Sequence, residues 1–326
     1  MPEILKLVQL YESSINQSLS SRFSVSDIVS IIAHYELKEE YEEAKNLSTN
    51  ALEEFPYHVK IIEAYLSVLS SDAEFELLIE YVERIELLVQ VSDLIVYHKA
   101  SALQAMGETK EAIKELKEYL EKAESKSNIL FQIGELYKQE AQYLEAQNYY
   151  CEALIADSNN YDPLHELLVF HSDISTIDTL LIFMEELTSV YPLSKNAWFG
   201  LGYCQHKLGL FEPAIESYDN SIAIDPTDEK SWLGKGHSLM NLQKFEEAYQ
   251  AYLEVFEIEG DSPSLFVHLG ASQEHQKNYT TAIEYYKKAI RIDQNYEDAW
   301  YGIGMCFLSQ ERFMESMHYI KKAIDL

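Results

Sequence analysis

Glycine and proline are scarce in this sequence. Its 326 residues include only 11 glycines and 7 prolines, and no glycine precedes Gly107. An all-β sandwich or barrel needs such residues at its many turns, so the composition argues against that fold class. Hydrophobic residues make up 47% of the chain, which is enough for a sizeable core. The sequence therefore predicts a globular protein built mainly from helices.

Cysteines and long apolar runs are also few. Cys151, Cys204 and Cys306 lie far apart and form no CxxC pair, so neither a disulfide framework nor a zinc site is expected. Nowhere do 18 apolar residues follow one another, and the first ten residues lack the pattern of a secretory signal. We therefore expect a cytoplasmic protein without a membrane span.

Basic residues are less than half as numerous as acidic ones. The chain has 25 Lys and Arg against 55 Asp and Glu, a formal net charge of −30. Long-range repulsion then disfavours nucleic acid and anionic membranes as partners. The imbalance is largest in residues 1–194, with 35 acidic and 13 basic residues, whereas residues 195–326 have 20 and 12. A basic or apolar protein segment is the partner that this charge favours.

A period of 34 residues runs through the sequence. Large aromatic residues recur at this interval in the last third of the chain, and a glycine follows each of them by four residues. The aromatic residues are Trp198, Trp232, Phe266 and Trp300, and the glycines are Gly202, Gly236, Gly270 and Gly304. Further columns of small and aromatic residues keep the same step. So many columns in one register indicate a true internal repeat.

Each repeat has the pattern of two helices. In residues 195–228, apolar residues follow helical spacing up to Leu208, and Gly209 supplies a helix stop. A second amphipathic run from Phe211 to Ile224 ends just before Pro226. Each repeat is therefore predicted to be a helical hairpin. One hairpin cannot cover its own apolar face, so neighbouring hairpins must stack.

These columns resemble the tetratricopeptide repeat (TPR) family. Its repeat has an aromatic residue in the fourth place, Gly or Ala in the eighth, Ala in the twentieth and an aromatic residue in the twenty-fourth. Residues 195–228 match it with Trp198, Gly202, Ala214 and Tyr218. The resemblance implies an all-α, right-handed superhelical solenoid of about nine 34-residue TPR hairpins. Their predicted starts are residues 25, 59, 93, 127, 161, 195, 229, 263 and 297.

The repeat frame divides the chain into three parts. Residues 1–24 are predicted to form an N-terminal capping helix, and residues 25–194 form five repeats. Residues 195–326 form four more, of which the last is truncated. An apolar flank left open at that end predicts either that the sequence is part of a longer chain or that its end packs on a partner or on a second copy.

Two repeats depart from the family pattern. Residues 59–92 and 161–194 carry leucine in the eighth and twentieth places, where small residues belong. The leucines are Leu66 and Leu78 in the first and Leu168 and Leu180 in the second. Because bulky side chains hold paired helices apart, we expect a local change of curvature at both repeats.

No catalytic or cofactor-binding motif accompanies the repeats. Glycine pairs such as Gly200/Gly202 lack the third glycine of a dinucleotide loop, and His165-Glu166 lacks the second histidine of a zinc-protease helix. We therefore expect no catalytic residue, no metal and no cofactor. His206, His237 and His275 fall on the first helices of successive repeats and are expected on one solvated surface.

The resemblance also implies a binding surface. In TPR proteins the first helix of each repeat lines the concave wall, and here the corresponding places are rich in aromatic and apolar residues. They predict a peptide held by hydrophobic anchors and positioned by polar groups. The predicted peptide-binding residues are Phe131, Glu135, Asn196, Phe199, Tyr203, His206, Leu233, His237, Val267, Tyr301 and Met305. Partial burial of these residues in a tightly wound superhelix is the alternative interpretation.

The sequence thus predicts a non-enzymatic adaptor or scaffold that binds a protein or peptide segment in a concave groove. The asparagine and lysines of the family's chaperone-tail clamp are missing, which argues against that role. Two alternatives stay open. One is a regulatory sensor whose superhelix changes curvature around a short peptide or small ligand, and the other is a scaffold that self-assembles through its C-terminal end.

Overall fold

The computed structural model describes residues 2–13, 18–19, 22–171 and 174–326. All regular secondary structure in these ranges is helical, and no strand occurs in them. The predicted all-α fold is therefore confirmed. Residues 1, 14–17, 20 and 21 of the predicted N-terminal cap lie outside the described residues. None of the described helices has the length and apolarity needed to cross a membrane.

The chain forms two compact units, Met1–Asp157 and Ser158–Leu326. The helices of the N-terminal unit are α1 (Pro2–Glu12), α2 (Val25–Leu37), α3 (Tyr41–Glu54), α4 (Val59–Ser71), α5 (Phe75–Ile85), α6 (Asp93–Ala105), α7 (Thr109–Tyr119), α8 (Lys126–Gln139) and α9 (Tyr143–Ala156). Those of the C-terminal unit are α10 (Tyr161–Phe170), α11 (Ile174–Val190), α12 (Lys195–Lys207), α13 (Phe211–Ile224), α14 (Glu229–Asn241), α15 (Phe245–Glu259), α16 (Pro263–His275), α17 (Tyr279–Ile292), α18 (Glu297–Ser309) and α19 (Phe313–Ile324).

From α2 onward these helices form hairpins in the 34-residue frame. Eight first helices begin at the residue that the frame predicts, and α8 begins one residue early, at Lys126. The predicted fold of about nine helical hairpins is thus confirmed. The separate division into residues 1–24, 25–194 and 195–326 stays a prediction.

Side chains in the last place of a repeat cap the helix that follows. The Ser194 hydroxyl accepts a hydrogen bond from the Ala197 N–H at 3.2 Å, and the Asp228 carboxylate accepts one from the Ser231 N–H at 3.1 Å. Such caps satisfy N–H groups that have no partner within the helix. Side-chain caps also precede α2, α6, α8 and α10, so they help to set the start of six of the nine first helices.

A left-handed residue ends the first helix of a repeat. In repeat 195–228 it is Gly209, at φ +76°, and the next N–H, that of Leu210, donates to the Gln205 carbonyl at 2.9 Å. This is the Schellman arrangement, which closes a helix and reverses the chain. The same place has positive φ in other repeats, at Glu39, Ala73, Gly107, Ala141, Gln243, Lys277 and Glu311. Most of these residues are not glycine, so the backbone of the hairpin imposes the conformation.

Glycines of these pairs mark close helix contacts, most of them with a buried tyrosine. A Cβ atom on Gly202 would lie 2.8 Å from the Tyr218 ring of the same repeat, and one on Gly234 would lie 2.5 Å from that ring. Tyr218 is buried between these two first helices. The pairs therefore serve helix packing and are not remnants of a phosphate-binding loop.

At the start of the N-terminal unit, α1 packs on α2. Val8 and Tyr11 of α1 are buried, and the ring of Tyr11 lies edge-on to that of Tyr35 at 6.4 Å. Contacts of this kind cover apolar surface that the first hairpin leaves open.

Candidate interaction surface

The first helices of the C-terminal unit form a continuous surface, which we call the first-helix wall. It consists of α10, α12, α14, α16 and α18. Side chains link its neighbouring helices: Nδ1 of His206 on α12 lies 2.8 Å from the Ser238 hydroxyl on α14. The Nε2 atoms of His237 on α14 and His268 on α16 are 3.4 Å apart. Nine of the eleven predicted peptide-binding residues lie on this wall.

The other two predicted residues, Phe131 and Glu135, lie on α8 in the N-terminal unit. Both are half-buried. The Phe131 ring lies 5.7 Å from that of Tyr150, and the Tyr150 hydroxyl donates a hydrogen bond to the Glu135 carboxylate. Glu135 also pairs with Lys138 at 3.4 Å. These two residues thus contact Tyr150 on the second helix of their own repeat and Lys138 on α8 itself.

Aromatic side chains dominate the wall at α12. Phe199 is half-buried, with its ring 6.4 Å from that of Tyr161 and 6.1 Å from that of Tyr218. Tyr203 is also half-buried, and the Lys207 ammonium lies 5.4 Å from its ring centre. Both side chains keep part of their surface open to solvent.

The apolar character continues along the wall. Leu233 on α14 and Val267 on α16 are half-buried and pack against the core of the unit. On α18, Met305 is half-buried and Tyr301 is 50% exposed. Each of the four repeats from residue 195 onward therefore presents a partly open aromatic or apolar side chain on its first helix.

Asn196 differs from the other predicted residues because its side chain is buried. It is 5% exposed, and its Nδ2 atom has no hydrogen-bond partner among the described residues. Tyr161 of α10 and Lys230 of α14 meet across α12, with the ammonium 4.4 Å from the ring centre. An unpaired buried amide costs free energy, so Asn196 is a donor in need of an acceptor.

Three histidines form a diagonal row on the wall. His206, His237 and His268 are spaced by 31 residues, one repeat forward and three places back. The row differs from the expected solvated surface, because His206 and His237 are half-buried and His275 instead stacks on Phe245 at 4.8 Å. Sequence reasoning missed His268, which a search for a 31-residue step would have found.

The row is electrically neutral at neutral pH. Burial, followed by the influence of His268 and His206, lowers the pKa of His237 to about 4. Burial also lowers the pKa of His206 and of His268. The wall therefore offers neutral imidazoles that donate and accept hydrogen bonds without adding positive charge.

The buried cysteines do not have the character of nucleophiles. Cys204 and Cys306 are fully buried, and burial raises the pKa of each thiol to about 12. A thiol in such surroundings stays protonated and behaves as a small apolar side chain. Within the parts of the chain that the structure describes, no group of three metal-ligating side chains is close enough together to hold an ion.

Comparisons with known proteins agree with this architecture. Profiles described as tetratricopeptide repeat match residues 127–160, 196–228, 229–262 and 297–326, and one described as TPR repeat matches residues 275–310. A search of curated proteins found no significant match.

Several solved structures resemble the chain in fold. The C-terminal part of a TPR repeat-containing protein from Cytophaga hutchinsonii is 15% identical, with 74% of this chain and 99% of that one covered and a TM-score of 0.50. MamA residues 41–end from Desulfovibrio magneticus RS-1 is 14% identical over 50% of this chain and 92% of its own, with a TM-score of 0.46. YrrB, described as a TPR protein with an unusual peptide-binding site, is 15% identical over 54% and 91%, with a TM-score of 0.44. The matched repeats and the hairpins in a 34-residue frame show that the chain belongs to the tetratricopeptide repeat family.

Proposed function

We propose that this protein is a non-enzymatic adaptor that docks a protein or peptide segment on the first-helix wall of its C-terminal unit. The family supports the general role, because TPR repeats are protein-interaction modules. The observation that carries the proposal is the apolar chemistry of the wall. Stacking of hairpins does not require partly open aromatic side chains there, and such surface is typical of a binding site.

Phe199 and Tyr203 are the proposed principal anchors. They are four residues apart on α12, so their side chains are neighbours on one helix face. Contacts with Tyr161, Tyr218 and Lys207 hold the two rings in place before a ligand arrives. Aromatic groups held in this way lose little conformational freedom on binding, which favours them as energetic centres of an interface.

Polar groups beside the anchors would orient the bound segment. A peptide offers a backbone carbonyl at every residue, and the unpaired Nδ2 of Asn196 needs such an acceptor. Farther along the wall, the neutral imidazoles of His206 and His237 would exchange hydrogen bonds with peptide groups.

Charge supports a basic or apolar partner. Residues 158–326 contain 26 acidic and 12 basic residues, so the field around this unit repels acidic segments. The neutral histidines do not offset that excess. A peptide with apolar anchors and flanking lysine or arginine would meet both requirements.

The test replaces both anchors. Phe199→Ala combined with Tyr203→Ala is expected to weaken binding by about 2–4 kcal/mol while the protein stays folded. Partners captured from native cells with the wild type and with the variant would be compared by mass spectrometry, and the affinity of the lost partner would then be measured by calorimetry. Val190→Ala combined with Leu193→Ala is the control, since both residues are apolar and exposed in the same unit. A loss of unfolding free energy as large as the loss of binding free energy would identify the two rings as core residues.

A further inference from the structure

Helix α19 carries a large apolar face that no described part of the chain covers. Phe313, Met314, Met317 and Ile324 are 63%, 76%, 60% and 77% exposed. Phe313, Met317 and Ile324 follow helical spacing and lie on one side of α19, with Met314 beside them. Apolar patches of several hundred Å² on a soluble protein mark sites of association.

The preceding hairpin indicates what kind of surface this face is. Tyr279, Ile283 and Ile290 occupy the corresponding places of α17, one repeat earlier. Ile283 is buried, and the other two are half-buried against the core cluster that α18 completes. The open face of α19 is therefore of the type that hairpin stacking buries elsewhere in the C-terminal unit.

We propose that α19 pairs with α19 of a second copy of this chain, antiparallel and about a two-fold axis. The first argument is charge. At −30, two copies repel each other over most of their surface, but residues 311–326 contain three acidic and three basic residues and are neutral. The apolar face thus lies where the cost of bringing two copies together is small.

The order of charges along the helix favours the antiparallel direction. At the start of α19 Glu311, Arg312 and Glu315 carry a net charge of −1, with Arg312 paired to Glu315. Near its end Lys321, Lys322 and Asp325 carry a net charge of +1. In an antiparallel pair the start of one helix lies beside the end of the other, so glutamates meet lysines. A parallel pair would bring like charges together. The helix dipoles favour the same antiparallel direction.

A two-fold axis also closes the assembly at two copies. An isologous contact uses the same patch on both partners and leaves no copy of it free. Burying the four exposed apolar side chains of each copy would remove about 1,000 Å² of surface from solvent in total, which is at the lower end for stable interfaces. An interface of this size is expected to give a reversible dimer. It is independent of the proposed peptide docking, because α19 is a second helix and lies outside the first-helix wall.

Sedimentation equilibrium of the full chain tests the proposal. The wild type is expected to rise with concentration from a mass of 37.7 kDa towards twice that value and no further. Met317→Glu places a charge at the centre of the apolar face and is expected to raise the dimer Kd at least about tenfold. Ile182→Glu on α11 is the matched control, because Ile182 is a helical apolar residue that is 62% exposed, and its dimer Kd should equal that of the wild type.

Exchanging the charges at the two ends of α19 tests the antiparallel orientation of the pair. It also separates a loss of pairing from a loss of folding stability. Lys321→Glu with Lys322→Glu, and separately Glu311→Lys with Glu315→Lys, should each weaken self-association. An equimolar mixture of the two variants should restore a dimer, since each carries at one end the charges that the other lacks. A wild type that stays monomeric at every concentration, a Met317→Glu variant that associates normally, a mixture that fails to recover, or growth beyond two copies would each overturn the proposal.

Discussion

Repeats 195–228 and 59–92 solve the same packing problem in opposite ways. In repeat 195–228, the first helix has Gly202 in the eighth place, and the ring of Tyr218 on the second helix fills the contact. In repeat 59–92, the large side chain is the fully buried Leu66 on the first helix, and the second helix supplies the smaller Val82. In both repeats one large side chain fills the contact between the two helices, but it comes from the second helix in one repeat and from the first helix in the other.

This difference explains why repeat 195–228 matches the family pattern and repeat 59–92 departs from it. The family pattern records small residues at set places, but packing requires only that facing side chains together fill the space. Within the N-terminal unit, fewer residues of α4 and α5 come close to each other than of α8 and α9, whose contact is built on Gly134 and Tyr150. The predicted change of curvature at the leucine repeats stays a prediction.

The largest expected effect comes from removing the Leu66 side chain of repeat 59–92. Leu66→Gly should lower the free energy of unfolding by about 4 kcal/mol, because it leaves a cavity and puts glycine inside a helix. Urea denaturation would measure the loss. Leu66→Gly with Val82→Tyr imitates the other solution and should recover part of it. Leu77→Gly on α5, where Leu77 is 42% exposed, is the control and should cost only about 1 kcal/mol. Equal losses for Leu66→Gly and Leu77→Gly would contradict the comparison.

The reverse change tests the regular repeat. Gly202→Ala should cost about 2–3 kcal/mol, because the new methyl group meets the buried Tyr218 ring, which has no room to retreat. Gly202→Ala with Tyr218→Leu should recover much of that loss, because Ala100 and Leu116 form this combination in repeat 93–126. Thermal denaturation of the three proteins is the measurement. A single variant as stable as the wild type would show that the glycine is not needed for close approach.

A third prediction concerns the neighbouring histidines His237 and His268. His268 stands where the neighbouring repeats have Gly234 and Gly302, and it stacks on Tyr252 at 5.3 Å. Its neighbour His237 has a pKa lowered to about 4 from 6.5. The unfolded chain therefore takes up a proton first as the pH falls.

The contribution of His237 to the free energy of unfolding is expected to be fully present above about pH 6.5 and to be lost as the pH falls from there towards 4. The contribution of His237 is about 2 kcal/mol after allowance for its partial exposure. Unfolding free energies measured across this range should show a shallower decline for His237→Gln than for the wild type. An identical slope would mean that the other histidines with lowered pKa values carry the whole effect.

The smallest effect is expected at the ends of the first helices. Gln243 has φ +59° where Gly209 has φ +76° in the preceding repeat. Gln243→Gly relieves that strain and should stabilise the protein by about 0.5–1 kcal/mol, whereas Gly209→Gln should destabilise it by a similar amount. The thermal midpoints of the two variants should therefore move in opposite directions. Shifts in the same direction would rule out the left-handed backbone as their cause.

The sequence by itself determined the helical hairpins, their number and their boundaries. This was possible because helical apolar spacing, stops such as Gly209 and the 34-residue columns are local signals repeated many times. The same frame located Phe199, Tyr203 and Tyr301 on first helices, but it contained no information on how far neighbouring side chains cover each of them.

Only the tertiary structure decided which residues of the wall are buried and what they touch. Asn196 is buried, Tyr161 meets Lys230 across α12, and His237 meets His268 on a diagonal of 31 residues. Neither contact follows the 34-residue period. The physical reason is that side chains of adjacent helices meet according to the rotation and offset between hairpins, which depend on how whole surfaces pack rather than on the order of residues within one repeat.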